Sequence, residues 1–266
     1  MNRPVSRKAG SGLPIVLSIA LAMVTPSVAR GQTACVPTVP CTDKNGCPDL
    51  IVDGTELTTN LALNRETWTS SDCAVVEGEV AAGDRWLLRF DIATPNLGPG
   101  DLIIGKPTDH PEWYDLVTCH GHPHFKQYSD YRLWTSKGSQ QWLALRPANP
   151  AACARVLLAA SPNLARQLVT GRKQGFCVVD VLPYSRGTCA GVKSRARYLS
   201  CDDMGLSVCQ EDLYDWLLDG QWIDVTGLQA GSYILETEVN AEHFFEETDY
   251  TNNSAAISVT LPKGLR

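Results

Sequence analysis

The segment TCHGHPHF, residues 118–125, sets His120, His122 and His124 at every second position, three of the five histidines in the 266-residue chain. Neutral imidazole ligates Zn, Cu, Fe and Ni, and several donors must converge on one point to hold such an ion. Three imidazoles in five residues therefore point to a metal site. Ligand type leaves copper and zinc both open, and three imidazoles with a free position would also suit a zinc-bound hydroxide for hydrolysis. The HxHxDH pattern of many zinc hydrolases is absent, since Phe125, Lys126 and Gln127 follow. Cys119 is a candidate fourth ligand, although an exported chain with ten cysteines favours a disulfide. His110 and His243 stand in no nucleophile motif, so nothing supports a Ser-His-Asp triad.

The histidines need a bent chain to meet. In a straight strand the outer two Cα atoms would lie about 13 Å apart, and an imidazole reaches about half that distance. Gly121 and Pro123 are the residues that allow a bend, one by freeing φ and the other by fixing it. Around them, runs such as DLIVDG, AVVEGEVAAGDRWLLRFDIAT, DLIIG, YRLWTS, FCVVDVL, SYILETEVN and AISVTLP alternate or are rich in β-branched and aromatic residues. Turn residues bound each run, which predicts a mostly β chain of sandwich-like architecture. QWIDVT-GLQAG-SYILETEV reads as a hairpin. Residues 146–169, containing PAACARVLLAASPNLARQLV, instead predict a helical insertion, with Ser161 as a cap and Pro162 in a first turn.

Residues 1–29 have a basic start, the apolar run LPIVLSIALAMV and a small-residue stretch, the pattern of a secretory signal. The run is too short to span a bilayer, so an exported protein, extracellular or periplasmic, is expected, without membrane insertion. Ten cysteines allow up to five disulfides in such a compartment. Residues 30–47 form a Cys- and Pro-rich segment, with DKNG as a turn, ahead of residues 48–266, long enough for one all-β domain or two small ones. A net charge of −6 and a pI near 5.4 argue against nucleic acid as a partner. A basic substrate would suit the same balance.

Four motifs, CHGHPHF followed by YRL, GRKQGFCVVD, DLYDWLLDGQWIDVTGLQAGSYIL and ETDYTNN, occur in the order and character of the lysyl oxidase catalytic domain. The chain resembles a microbial-type, secreted member of that family. The resemblance implies a copper-dependent oxidase carrying lysine tyrosylquinone, a cofactor made from its own side chains. His120, His122 and His124 would be the copper ligands, Lys173 the cross-linking lysine and Tyr214 the quinone tyrosine. Taken without the resemblance, Lys173 reads as an exposed turn lysine and Tyr214 as a half-buried aromatic. The implied reaction takes a primary amine or a lysine-containing peptide, with dioxygen, to an aldehyde, hydrogen peroxide and ammonia. Asp212 is a candidate general base, or else a solvated turn carboxylate. By similarity Cys119 would pair with Cys201 and Cys177 with Cys189. Cys209 would be left to Cys153, because Gly220 stands at its usual partner position.

The chain departs from the animal pattern at Val117, where those members carry another histidine, and in its longer insertion. It also lacks their basic and proline-rich extensions. Two other classes stay open on the residues alone: a copper-binding structural domain that matures no quinone, and a zinc hydrolase.

Overall fold

The computed structural model describes residues 34–115, 119, 121–126, 128–171 and 176–266. The expected signal, Val117, His120 and Lys173 lie outside the described residues. Along the chain, α1 (Glu56–Thr59) and β1 (Ala62–Trp68) precede α2 (Cys73–Val76), β2 (Gly83–Arg89), β3 (Ile92–Pro95) and β4 (Leu102–Gly105). Two short strands follow, β5 (Tyr114–Asp115) and β6 (His124–Phe125), and then β7 (Ser129–Thr135). Three helices come next, α3 (Ser136–Leu145), α4 (Ala154–Ala160) and α5 (Pro162–Ala165). The rest is β8 (Leu168–Thr170), β9 (Leu182–Pro183), β10 (Met204–Leu206), β11 (Gln210–Tyr214), β12 (Trp222–Asp224), β13 (Gly231–Val239) and β14 (Ser254–Leu261). Among the described residues no helix is long and apolar enough to cross a membrane.

The mostly β expectation holds, with the strands distributed over small sheets: β1-β2-β12, β4-β10, β3-β11-β9, β14-β13-β7-β8 and β5-β6. One large apolar core includes Leu50, Phe90, Phe125, Tyr128, Phe176, Tyr214, Ile223 and Phe245. Two parts of the expected strand pattern are corrected. QWIDVT and SYILETEV do not form a hairpin, because β12 pairs with β2 while β13 pairs with β7 and β14. Between them a turn, with Thr226 N–H donating to Asp224 Oδ1, carries the buried Val225 from one sheet towards another. The start of AVVEGEV is helical, since Val75 N–H and Val76 N–H both return to the Asp72 carbonyl.

The helical segment begins earlier than residue 146, at Ser136, where the Thr135 side chain accepts from Gly138 N–H and caps α3. Ser161 sits at the N-cap position before Pro162, but its side chain makes no capping bond. The helices form a second apolar cluster, Trp134, Trp142, Ala154, Leu157 and Leu164, on one face of the four-stranded sheet. That covering explains why β13 buries carboxylates. Arg132 lies beside Glu236 and Glu238 and pairs with both, Arg146 pairs with both as well, and the indole N–H groups of Trp134 and Trp142 donate to Glu236. Buried charge is tolerable when each member has a partner of this kind.

All ten cysteines are paired: Cys35–Cys153, Cys41–Cys47, Cys73–Cys119, Cys177–Cys201 and Cys189–Cys209. The pairings expected from the resemblance, Cys119–Cys201, Cys177–Cys189 and Cys209–Cys153, are therefore corrected. Local backbone contacts account for the observed set. Cys119 N–H donates to Glu77 Oε1, one turn from Cys73. Tyr184 N–H donates to the Cys209 carbonyl, bringing the segment before Cys189 alongside. Cys35 N–H donates to the Ala151 carbonyl next to Cys153. The DKNG segment is a turn, as expected, with Asn45 N–H donating to Asp43 Oδ1 at 2.8 Å.

Candidate metal and quinone site

Gly121 has φ +75°, a left-handed value that a side chain would resist, so the chain turns back between the first and second histidines of the motif. Beyond Pro123 it enters β6, which pairs antiparallel with β5. As a result His122 Nε2 and His124 Nε2 lie 3.2 Å apart, with the rings nearly edge to face at 4.8 Å. An N–H···N hydrogen bond between the rings gives such a separation. So do two neighbouring ligands on one ion, when each metal–nitrogen bond is about 2.0–2.1 Å and the angle between them about 100°. The spacing of this pair fits two ligands of a copper or zinc ion.

Glu77, just after α2, was not singled out from the sequence, where it is one acid in an alternating run. Its Oε1 accepts the Cys119 N–H at 2.6 Å and its Oε2 lies 3.8 Å from His124 Nδ1. A carboxylate on the far nitrogen of a ligating histidine orients the ring and strengthens it as a donor. The Cys73–Cys119 disulfide fastens this carboxylate to the histidine segment.

The histidine strand is also joined to the lysine motif. Phe125 N–H donates to the Phe176 carbonyl at 2.8 Å and Phe176 N–H returns to Phe125 at 3.1 Å. Gly171 N–H donates to the Tyr131 carbonyl at 2.8 Å. Both residues that flank 172–175 are thus held on strands or beside them. The tyrosine motif meets the same place, because the Phe176 ring stands edge-on to Tyr214 at 5.2 Å and the Tyr214 hydroxyl donates to the Cys177 carbonyl at 3.0 Å.

Tyr214 ends β11, in the middle of the β3-β11-β9 sheet, and is buried rather than half-buried. Burial and then the nearby Asp212 carboxylate hold its phenol well above the usual pKa. Asp212, two residues earlier on the same strand face, is 1% exposed, so it is no solvated turn carboxylate. Tyr128 and Tyr131, also buried, are kept as phenols chiefly by burial, with Asp212 adding to the effect. Their hydroxyls meet Thr94 Oγ1 at 2.6 Å and Gln221 Oε1 at 2.9 Å.

Directly after Tyr214 the chain is gripped by residues the sequence did not mark. Arg89 donates to the carbonyls of Trp216 (2.7 Å) and Leu218 (3.2 Å), while its other face forks onto Glu66 and its guanidinium lies 4.4 Å over Trp222. Trp216 N–H donates to Asp91 Oδ1 at 2.7 Å. Gly220 closes this loop with φ +75°, and an added Cβ would come within 2.8 Å of the Glu79 carboxylate, so a cysteine does not fit there as the backbone stands. The ETDYTNN motif is structural. Glu247 accepts from Asn240, Asn253 and Leu50 N–H, and burial lifts its carboxyl to about 8.

Comparison with known proteins finds relatives of one kind. The chain is 27% identical to human protein-lysine 6-oxidase over 219 residues, 78% of this chain and 44% of that protein. It is 28% identical to the chicken (Gallus gallus) protein-lysine 6-oxidase over the same shares. Against human lysyl oxidase homolog 1 the identity is 29%, covering 78% of this chain and 32% of that protein. The chain thus spans less than half the length of these curated relatives. A family model described as lysyl oxidase matches residues 159–264, the stretch that contains the lysine, tyrosine and ETDYTNN motifs. Over residues 159–264 the chain thus matches the lysyl oxidase family model, and over most of its length it is similar to protein-lysine 6-oxidases and a lysyl oxidase homolog.

Proposed function

We propose that this chain is an exported copper- and quinone-dependent amine oxidase, converting peptidyl lysine or small primary amines to aldehydes with release of hydrogen peroxide and ammonia. The observation that carries this reading is the single bridge between Phe125 and Phe176, with Tyr214 donating to Cys177 beside it. It supports the reading by setting Phe125 of the histidine motif beside Phe176 and Cys177, and these beside Tyr214. Copper held by His120, His122 and His124 would, with dioxygen, supply the oxidation that turns the Tyr214 ring, joined to Lys173, into a carbonyl group able to accept electrons from an amine.

The protein's own groups then have distinct tasks. His122 and His124 present ring nitrogens at ligand spacing, and Glu77 orients the His124 ring. Phe176 and Tyr128 exclude water from the Tyr214 ring, and the Cys177 carbonyl fixes its hydroxyl. Asp212, on the same strand face, is the proposed general base, with a carboxylate oxygen taking the proton from the carbon that bears the amine.

Peroxide release on addition of a primary amine tests the reading. The copper-loaded protein should release it, Tyr214→Phe should abolish it, and Asp212→Asn should lower kcat by a factor of about 10² to 10⁴. Copper-loaded protein that turns over no amine, or equal turnover by Tyr214→Phe, would overturn it.

A further inference from the structure

Outside the candidate site, the feature that asks for a ligand is a cavity of about 260 Å³ between the end of α3 with its following segment and the loop joining β13 to β14. That size is below the usual 300–1,000 Å³ of drug-sized pockets and suits a single ring. Leu143, Pro147 and Ala152 supply apolar walls, while Arg146, Ser254 and His243 supply a polar end.

His243 is the unusual member. It is 7% exposed, stacks on Tyr250 at 4.2 Å, and neither of its ring nitrogens has a hydrogen-bond partner among the described residues. Its backbone is in the left-handed region, φ +52°, held by its own N–H donating to the Asn240 carbonyl at 2.8 Å. Non-glycine residues held there cost energy and gather at ligand clamps. His243 lines the cavity, and its ring nitrogens are open to a ligand there.

The charge around the cavity selects the ligand. Arg146 is paired with Glu238 and lies 3.6 Å from Glu236, and Arg132 pairs with the same two carboxylates. Two guanidiniums therefore face Glu236 and Glu238, with Asp130 4.0 Å from Arg132 as well, so each charge at the polar end already has a partner. An incoming anion or cation would lose its hydration for little return. Burial, and then the Arg146 charge, push the His243 imidazole below its usual pKa, so it offers one donor and one acceptor. Ser254 Oγ accepts from Arg146 at 3.3 Å and keeps its own proton to donate.

We propose that this cavity binds a small neutral molecule with one flat apolar ring and a head group that both donates and accepts, such as a hydroxyl or a carboxamide. The head meets His243 and Ser254, and the ring lies against Pro147 and Ala152. The proposal uses none of the groups assigned to amine oxidation and stands apart from that reading.

Titration of the full protein with benzamide and with benzyl alcohol, followed by ligand-observed NMR in every variant and also through the His243 ring signals in the wild type, tests it. Saturable shifts are expected, with benzoate and benzyltrimethylammonium binding at least tenfold more weakly. His243→Asn, which tolerates the left-handed backbone, and Ala152→Leu, which fills the cavity, should each weaken binding tenfold or more. The two variants alter different walls, so misfolding of one leaves the other decisive. Absence of saturable shifts with both neutral probes, equal binding of the charged probes, or unchanged affinity in the folded variants would overturn it.

Discussion

Single residues carry the metal-site account through the pair His122 and His124, whose nitrogens meet at 3.2 Å because Gly121 turns left-handed. Glu77 acts on this pair at second hand. Glu77→Gln should leave the protein folded and lower copper affinity by about 10–100-fold, the usual effect of removing an outer partner of a ligand, as read by competition with a chelator of known affinity. Unchanged affinity would remove Glu77 from the site. The histidines were legible in the sequence because their spacing is itself a chemical signal. Glu77 was not, since its position depends on a disulfide and a turn that bring residue 119 over α2. Asp212 was visible only as a neighbour of Tyr214 in sequence. That it is a buried strand residue rather than a turn carboxylate depends on β3 and β9 closing over both sides of β11.

At the scale of elements, the loop after β11 is fixed from the end of β2 and from Asp91, just before β3. Arg89 and Asp91 bind its backbone while Leu217 and Leu218 stay exposed, 67% and 45%. Arg89→Met should keep the contact with the Trp222 ring but leave two carbonyls and Glu66 without their donor. The expected loss is about 1–3 kcal/mol of stability for a group left unsatisfied, measured by urea unfolding, together with slower appearance of the quinone absorbance after copper is added to the apoprotein. Wild-type stability and wild-type maturation would contradict this role. Most strands could be read from alternation, as with β7, β13 and β14. The β12-to-β13 hairpin could not, because alternation tells which residues form strands and says nothing about which sheet each strand joins. The helical segment was legible from its Ala- and Leu-rich composition, but its start at Ser136 rests on a Thr135 cap and on Trp142 docking against Trp134.

At the scale of the whole molecule, five disulfides and the buried carboxylate of Glu247 tie distant described segments together. Glu247 joins the loop between β13 and β14 to Leu50 near the N-terminal side. Its folded pKa of about 8 lies above the unfolded value, so the folded state binds the extra proton between roughly pH 4.5 and 8. Stability should therefore fall as pH rises through that window, and Glu247→Gln should flatten this part of the profile, as measured by thermal unfolding at a series of pH values. A wild-type profile that rises across the window would contradict the sign. The disulfide pairing was the least legible feature, since ten cysteines allow many connectivities and the observed set follows from backbone contacts such as Tyr184 with Cys209. Lys173 and Tyr214 are singled out only through the resemblance, because neither residue type nor spacing marks them. The central claim is that the fold brings these two together beside copper. Peptide mapping of the copper-loaded, air-exposed protein by mass spectrometry tests it most directly. The account expects one cross-linked peptide containing Lys173 and Tyr214, absent from Tyr214→Phe, whereas copper-bound protein yielding only the two separate, unmodified peptides would contradict it.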